Sequence, residues 1–385
     1  MENSVPAPTP TPTPNVTEFL DSEFRYTLFP VFYSFVFVLG LCANAYVLYI
    51  LRCLRNSRAM NEVRIYMTNL TVADLLFVAA LPFWIDYYVR RGDWAAGDIA
   101  CRVTGSLFFI NSYCSILFLA VISVNRYWAV TRPLEAAKSD HWRRGVCVSV
   151  TVWAGTLGAT IPYLISPGVQ EDADGKRRCL EGYHNQDRGT RWGVAATHFV
   201  IIAIFFAVFL LVVTCNLLIA RALLTQPLIK ERSIVASHGS KGHQRPNGTK
   251  RRAVRMLCAV VTVFAVCFLP HHVVQGPWAL VVLHLADGWS QQTKQSLNDA
   301  HQITYMLMGL NCLLDPVVYC FATRRFRQYI TGHIKRLQKG KVCQTQNTMT
   351  TTGISMAMQN QSVPSHEAEK EHLDTPDLTR HNAST

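Results

Sequence analysis

Charge is scarce in this chain. Only 16% of its 385 residues are Asp, Glu, Lys or Arg, while half are hydrophobic; soluble domains carry about 25% charged residues. Between Arg102 and Arg126 there is no charged side chain at all. At about 1.5 Å per residue, a helix over that run crosses the hydrocarbon core of a bilayer. The sequence marks of common enzymes are also missing: there is no phosphate-cradling Gly loop, no HExxH and no GxSxG elbow. None of the twelve cysteines falls in a CxxC pair or at metal-ligand spacing. His271 and His272 are adjacent, so a helix sends them to different faces and they make a poor metal pair. Lys and Arg outnumber Asp and Glu, 37 to 25, but they sit at the ends of apolar runs rather than on one soluble face. That placement points to membrane topology and not to nucleic acid.

What is present is seven long apolar runs, roughly Tyr26–Leu51, Ile65–Tyr88, Val103–Val124, Gly145–Val169, Trp192–Ala220, Met256–Ala286 and Ala300–Phe321. Each is long enough to span a membrane, so the expected fold is an all-α seven-transmembrane helix bundle. Asp74 and Asp86 in the second run and Asp315 in the seventh are the charges inside them. Arg52, Arg55 and Arg58 follow the first run, and Arg132, Lys138, Arg143 and Arg144 follow the third. The connection from Arg221 to Arg255 is basic too, as are Arg324, Arg325 and Arg327 after the seventh run. Glu171, Asp172, Asp174 and Glu181 lie on the alternate side. The positive-inside rule then places the N-terminus outside and the C-terminus inside, as in a plasma-membrane protein. No internal inverted repeat of the transporter kind is evident. No signal-peptide pattern precedes the first run, which is expected to act as an uncleaved anchor.

The chain divides into four parts on this reading. Residues 1–25 open with PAPTPTPTP and form an extended outer tail with a glycosylation sequon at Asn15. Residues 26–323 form the bundle. Residues 324–343 place Phe326, Ile330, His333, Ile334 and Leu337 at helical spacing among basic side chains, an amphipathic eighth helix for the inner leaflet. Cys343 beyond it suits palmitoylation. Residues 344–385 are Ser/Thr-rich and then acidic, either a solvated tail or a phosphorylation region that a partner reads by charge. Cys101 and Cys179 are the two cysteines on the oxidising side, and a disulfide between them would pin the second outer loop over the bundle.

Motifs spread over the whole bundle resemble the rhodopsin-like G-protein-coupled receptors. They are Gly40-Leu41-Cys42-Ala43-Asn44, Asn69-Leu70-Thr71-Val72-Ala73-Asp74-Leu75, Cys101 with Asn125-Arg126-Tyr127, Trp153, Phe264 to Pro270, and Asn311 with Asp315-Pro316-Val317-Val318-Tyr319. The resemblance implies a polar pocket of Asn44, Asp74, Ser115 and Asp315 that can hold a sodium ion. It implies that Asn125, Arg126, Tyr127, Phe268, Pro270, Pro316 and Tyr319 take part in activation and G-protein contact, the two prolines by interrupting the helical hydrogen-bond ladder. Three departures stand out. Asn125 replaces the acid usual before the arginine, Lys250 stands where a pairing glutamate is common, and Phe268 replaces a tryptophan. Arg126 therefore lacks the family's usual acidic restraints, and something else must hold the inactive state.

Within the family, the stretches from Asp21 to Pro30, Phe108 to Asn111, Pro270 to Gln275 and Asn298 to Gln302, together with Asn125-Arg126 and Phe268, are similar to those of receptors for an acetylated ether phosphocholine lipid. That likeness implies a lipid agonist, coupling to Gq and Gi in inflammatory and chemotactic signalling, and receptor kinases and arrestin acting on the tail. Its chemistry can be matched to residues. His198, His271, His272, Gln275, Gln302 and Thr304 suit phosphate and ester oxygens. Tyr33, Phe108, Phe109 and Trp278 offer aromatic faces to a quaternary ammonium, and Glu181 a counter-charge. A receptor of the same fold for a peptide, nucleotide or other lipid is the alternative. A transporter or channel is the more distant one, since Asp74 and Asp315 alone would offer a polar path.

Overall fold

The computed structural model describes residues 20–53, 61–138, 140–172, 174–181, 188–225, 258–283, 285, 288–322, 326–333 and 335. Its helices in chain order are α1 (Arg25–Cys53), α2 (Asn61–Val89), α3 (Asp98–Thr131), the short α4 (Pro133–Lys138), α5 (His141–Ile165), α6 (Arg188–Thr225), α7 (Cys258–Val282), α8 (Gln291–Met308) and α9 (Asn311–Ala322). A two-stranded antiparallel hairpin, β1 (Val169–Glu171) and β2 (Arg177–Cys179), lies between α5 and α6 and pairs Val169 with Cys179. Six of the helices are long and apolar enough to cross a membrane. Leu39, Val150, Ile161, Val200, Leu210 and Leu217 are exposed, and such a face suits lipid rather than water. α3 is the most buried of the six and packs against α2, α5 and α6.

The seventh span departs from its expected form. The run Ala300–Phe321 is not one helix: α8 begins nine residues earlier at Gln291, capped by the Ser290 hydroxyl accepting from the Thr293 amide at 3.2 Å. It stops at Met308, a Gly309-Leu310 turn intervenes, and α9 resumes at Asn311. The turn bridges the break, because the amides of Leu313 and Leu314 donate to the Leu310 carbonyl. The fourth run ends at Ile165 rather than Val169, since Pro167 holds Ser166 in extended backbone. In the sixth, Pro270 cannot donate to the carbonyl four residues back, and the helix widens into a π turn over Phe264–Phe268 just before it.

Residues 20–25 are ordered and held from several sides. Asn298 Nδ2 donates to the Leu20 carbonyl (3.0 Å), Ser22 Oγ to Asp299 (2.7 Å) and Gln295 Nε2 to Ser22 Oγ (2.6 Å). Residues 326–333 are helical. Asn15, Lys250, Ile334, Leu337, Cys343 and the 344–385 tail lie outside the described residues.

Candidate functional site

Beneath the β-hairpin, the hairpin-side halves of α1, α2, α3, α5, α6, α7 and α8 enclose a cavity of about 150 Å³. Cys101 is bonded to Cys179, which draws β2 over the start of α3. Asp98 Oδ1 reinforces this by accepting from the amides of Gly168 (2.8 Å) and Val169 (3.0 Å). Leu180, the residue after the bridge, has a left-handed backbone (φ 57°), and its side chain reaches α3. Only glycine fits opposite it, since a Cβ on Gly105 would stand 2.2 Å from Leu180 Cδ1.

Above the hairpin edge a buried ion network latches the N-terminal segment. Arg25 is fully buried and pairs with Glu181 and, at 3.2 Å, with Asp21. Arg178, 3% exposed, donates to Asp172 (2.8 Å), Asp21 (3.3 Å) and the Tyr26 hydroxyl (2.9 Å). Arg178 also requires Gly92, whose φ of 83° carries the loop past a guanidinium that would meet any Cβ there. Burial alone would raise the Asp21 carboxyl, but the Tyr26 hydroxyl, Arg25 and Arg178 outweigh it and hold it below the ordinary carboxylate range. Asp172 behaves likewise: burial is outweighed by Arg178 and the Lys176 amide. Burial works against the charge of Arg178, yet its bonds to Tyr26 and Asp172 hold that charge more firmly than in water.

The chamber brings together Tyr33, Phe108, Phe109, Glu181, His198, His271, Gln275, Trp278 and Gln302. Gln275 Nε2 and His198 Nδ1 lie 2.7 Å apart. His271 Nδ1 and Gln275 Oε1 are buried and lack hydrogen-bond partners among the described residues. Glu181 is not a free counter-charge as expected, because Arg25 occupies its carboxylate. Two expected ligand residues stand outside the chamber wall. His272 stacks on Phe205 (3.8 Å, 9°), with Nδ1 2.8 Å from the Phe268 carbonyl and Nε2 3.4 Å from the Tyr113 hydroxyl, so it ties α7 to α6 and α3. Thr304 is buried and donates to the His301 carbonyl of its own helix (3.0 Å).

Other wall residues escaped the sequence reading. His301 stacks on Trp278 (4.0 Å, 9°), Tyr305 stacks on Phe108 (3.9 Å, 15°), and Trp84 and Tyr88 join them. His301, Tyr305 and Met308 share one helical face, and that i, i+4 spacing is the signal that finds them.

Deeper in the bundle Asp74 and Asp315 are fully buried and interact electrostatically. Asp74 Oδ1 accepts from Asn111 (2.8 Å), a member the expected set lacked, and Asn311 donates to Ser115 (2.9 Å). Asn44 donates to the Cys312 carbonyl at 2.8 Å. Asp74 Oδ2, both Asp315 oxygens and the amide oxygens of Asn44 and Asn311 lack hydrogen-bond partners among the described residues. Such a concentration of bare oxygens fits a hard monovalent or divalent cation.

At the opposite end, Asn125, Arg126 and Tyr127 are half-buried in the last turns of α3. Here the structure supplies an acid that the sequence reading overlooked. Glu62, 5% exposed, accepts from Arg144 (2.6 and 2.5 Å) and Tyr66 (2.8 Å), lies 3.2 Å from His141 Nδ1, and bonds Asn125 as well. One carboxylate therefore ties α2, α3 and α5 together. Phe268 is fully buried against Phe264 (5.7 Å), and Pro270 and Pro316 lie within α7 and α9, where each lacks the amide that a helical hydrogen bond needs. Tyr319 is helical, and its side chain lies outside the described residues.

A bundle of spanning helices with a disulfide-pinned hairpin over a chamber is matched by the family described as the seven-transmembrane receptors of the rhodopsin family, over residues 43–319. The chain belongs to that family, and is a multi-pass membrane receptor and not an enzyme. It is 42% identical over 337 residues to the platelet-activating factor receptor of Homo sapiens, covering 87% of this chain and 94% of that one. To the receptor of the same name from Cavia porcellus it is 40% identical over 346 residues, covering 89% and 96%. It is also 29% identical over 314 residues to G-protein coupled receptor 183 of Bos taurus, covering 80% and 81%.

Proposed function

We propose that the chain is a plasma-membrane receptor for platelet-activating factor, an acetylated ether phosphocholine lipid, with its N-terminus outside. The observation that carries this reading is the chemistry of the chamber. Its walls are aromatic and apolar, its polar groups are imidazoles, amides and hydroxyls, and the one carboxylate among its described residues is already neutralised by Arg25. A net-neutral headgroup suits such walls. The ammonium takes the ring faces of Tyr33, Tyr88 and Trp84, and the phosphate and acetyl oxygens take His271, Gln275 and Gln302. Identity of 40–42% to receptors of that name over nearly the whole chain supports the same reading.

Agonist binding shifts the bundle toward a state whose basic end admits a G protein of the Gq or Gi class. Receptor kinases and arrestin then act on the C-terminal tail. The bare oxygens around Asp74 and Asp315 support a sodium ion that favours the ligand-free state. The test is calcium release in cells expressing the chain. A saturable response to the acetylated lipid, absent with its lyso form and in mock-transfected cells, supports the reading. No response despite surface expression and ample G protein overturns the ligand and leaves the family intact.

A further inference from the structure

The ordered N-terminal segment reaches the chamber wall through one side chain. Asn298 of α8 is 7% exposed and uses both ends of its amide. Its Oδ1 accepts from the Trp278 indole N–H at 3.2 Å, and its Nδ2 donates to the Leu20 carbonyl at 3.0 Å. The two bonds fix which end is which, since a flipped amide would set N–H against N–H and oxygen against oxygen. His301, three residues further along the same face of α8, stacks on the same indole at 4.0 Å and 9°. One residue thus holds Trp278 by its N–H and another by its ring face. His198 stands edge-on to that ring at 5.6 Å and is bonded to Gln275. Trp278, His301, His198 and Gln275 all line the chamber, whereas neither Asn298 nor any of residues 20–25 is among its described lining residues. Leu20 also packs its side chain on the cluster that contains Trp278, Ala279 and Val282. Gln295, one turn before Asn298, donates to the Asp21 carbonyl at 3.1 Å, and Asp299 accepts from Ser22 Oγ at 2.7 Å.

We propose that Asn298 is a positioning residue for ligand binding: it sets the Trp278–His301 wall from outside the chamber and makes that wall depend on the order of residues 20–22. A buried indole N–H needs an acceptor, and where the acceptor stands sets the plane of the ring. His301 keeps its face-to-face contact only while that plane holds. The Leu20 carbonyl does for Asn298 what Asn298 does for Trp278, because a buried amide N–H without an acceptor is costly and draws the side chain toward another. Order in the outer segment therefore reduces the freedom that the wall must give up when a ligand binds. Aromatic faces attract a headgroup by direction rather than by full charge, so a wall built of them gains from being held in place. What the wall binds rests on the lipid reading above; what positions it does not.

The experiment labels the full chain with 5-fluorotryptophan and records its fluorine NMR spectrum in detergent without ligand. The chain has eight tryptophans, and Trp278→Phe identifies the Trp278 line as the one it removes. Asn298→Ala is expected to shift or broaden that line while the rest of the spectrum stays as in wild type; a merely structural loss would move lines throughout. A chain lacking residues 1–20 should move the same line, and one lacking residues 1–17 should not. In membranes at matched surface expression, Asn298→Ala should weaken saturable binding of the tritiated acetylated ether lipid about tenfold, the worth of one buried donor left without its acceptor. Added to Trp278→Phe, it should cost less than about twofold more, because the bond it breaks is already gone. An unmoved Trp278 line in Asn298→Ala or in the chain lacking residues 1–20, or additive losses in the double variant, overturns the proposal. If Asn298→Ala does not fold, as judged by thermal unfolding in detergent, the shortened chains decide. If wild type binds no lipid, the ligand reading falls and the Trp278 line decides the positioning alone.

Discussion

The latch between Arg25 and Glu181 makes a strong quantitative prediction. The Arg25 side chain is 1% exposed and Glu181 16% exposed, so each ion is stranded if its partner is removed. Breaking a buried pair costs about 3–5 kcal/mol. Arg25→Met should fall near the low end, about 3 kcal/mol, because Glu181 keeps some contact with solvent. Glu181→Gln should cost less, about 2 kcal/mol, since Arg25 retains Asp21 at 3.2 Å and the Tyr88 ring at 5.6 Å. The double variant removes both charges and should cost only about 2 kcal/mol, which leaves a coupling of about 3 kcal/mol. In detergent, the Arg25→Met unfolding midpoint should drop by roughly 5 °C and recover partly in the double variant. Glu181 itself lines the chamber, so ligand dissociation should quicken in Arg25→Met. Additive single costs would show that the two ions are not coupled and would refute the latch.

Three further outcomes follow from the geometry. Glu62→Gln should loosen the junction of α2, α3 and α5 and raise ligand-free signalling severalfold, measured as basal inositol phosphate at matched surface expression; unchanged basal output would show that Glu62 does not restrain α3. Sodium should weaken agonist binding to wild type, and Asp315→Asn should remove that dependence, checked by displacement curves in sodium and in an organic cation; equal sodium sensitivity in the variant would remove Asp315 from the ion site. Asp21 and Asp172 titrate below the ordinary carboxylate value of 3.8 in the folded chain, so their stabilisation is complete above that value and lost as pH falls through their lowered pKa. Hydrogen-exchange protection of residues 20–26 should therefore hold from pH 7 to 5, after correction for intrinsic rates, and fail only in stronger acid. A loss between pH 6 and 5 would point to histidine instead.

The spans were legible because a long apolar run has few alternatives to a membrane helix. Their interruptions were not. The apolar run continues unbroken through Gly309 and Leu310, so nothing in hydropathy marks the turn there. Pro270 announces a disturbance in α7 but not its form, a π turn over Phe264–Phe268. At the chamber, residue chemistry singled out His198, His271, Gln275 and Gln302, while adjacency in sequence drew in His272, which the helix sends toward Phe205. His301 and Tyr305 were visible only as a helical face. The hardest residues were those with distant partners. Arg25 and Glu181 are 156 positions apart, and Glu62 and Arg144 are 82 apart. In sequence, Glu62 reads as an ordinary acid in the first turn of a helix, where the helix dipole favours it. Its tie to Asn125 is what gives meaning to the missing acid before Arg126.

The central claim is that the outer chamber holds the acetylated ether lipid, and saturation binding of the tritiated lipid to membranes bearing the chain tests it most directly. Saturable binding is expected, displaced by the unlabelled lipid and not by its lyso form. It should weaken about tenfold in His271→Ala and Gln275→Ala, each of which removes a polar partner, and persist in Thr304→Ala, whose hydroxyl is spent within its own helix. Absence of saturable binding to surface-expressed chain, or equal loss in all three variants, would contradict it.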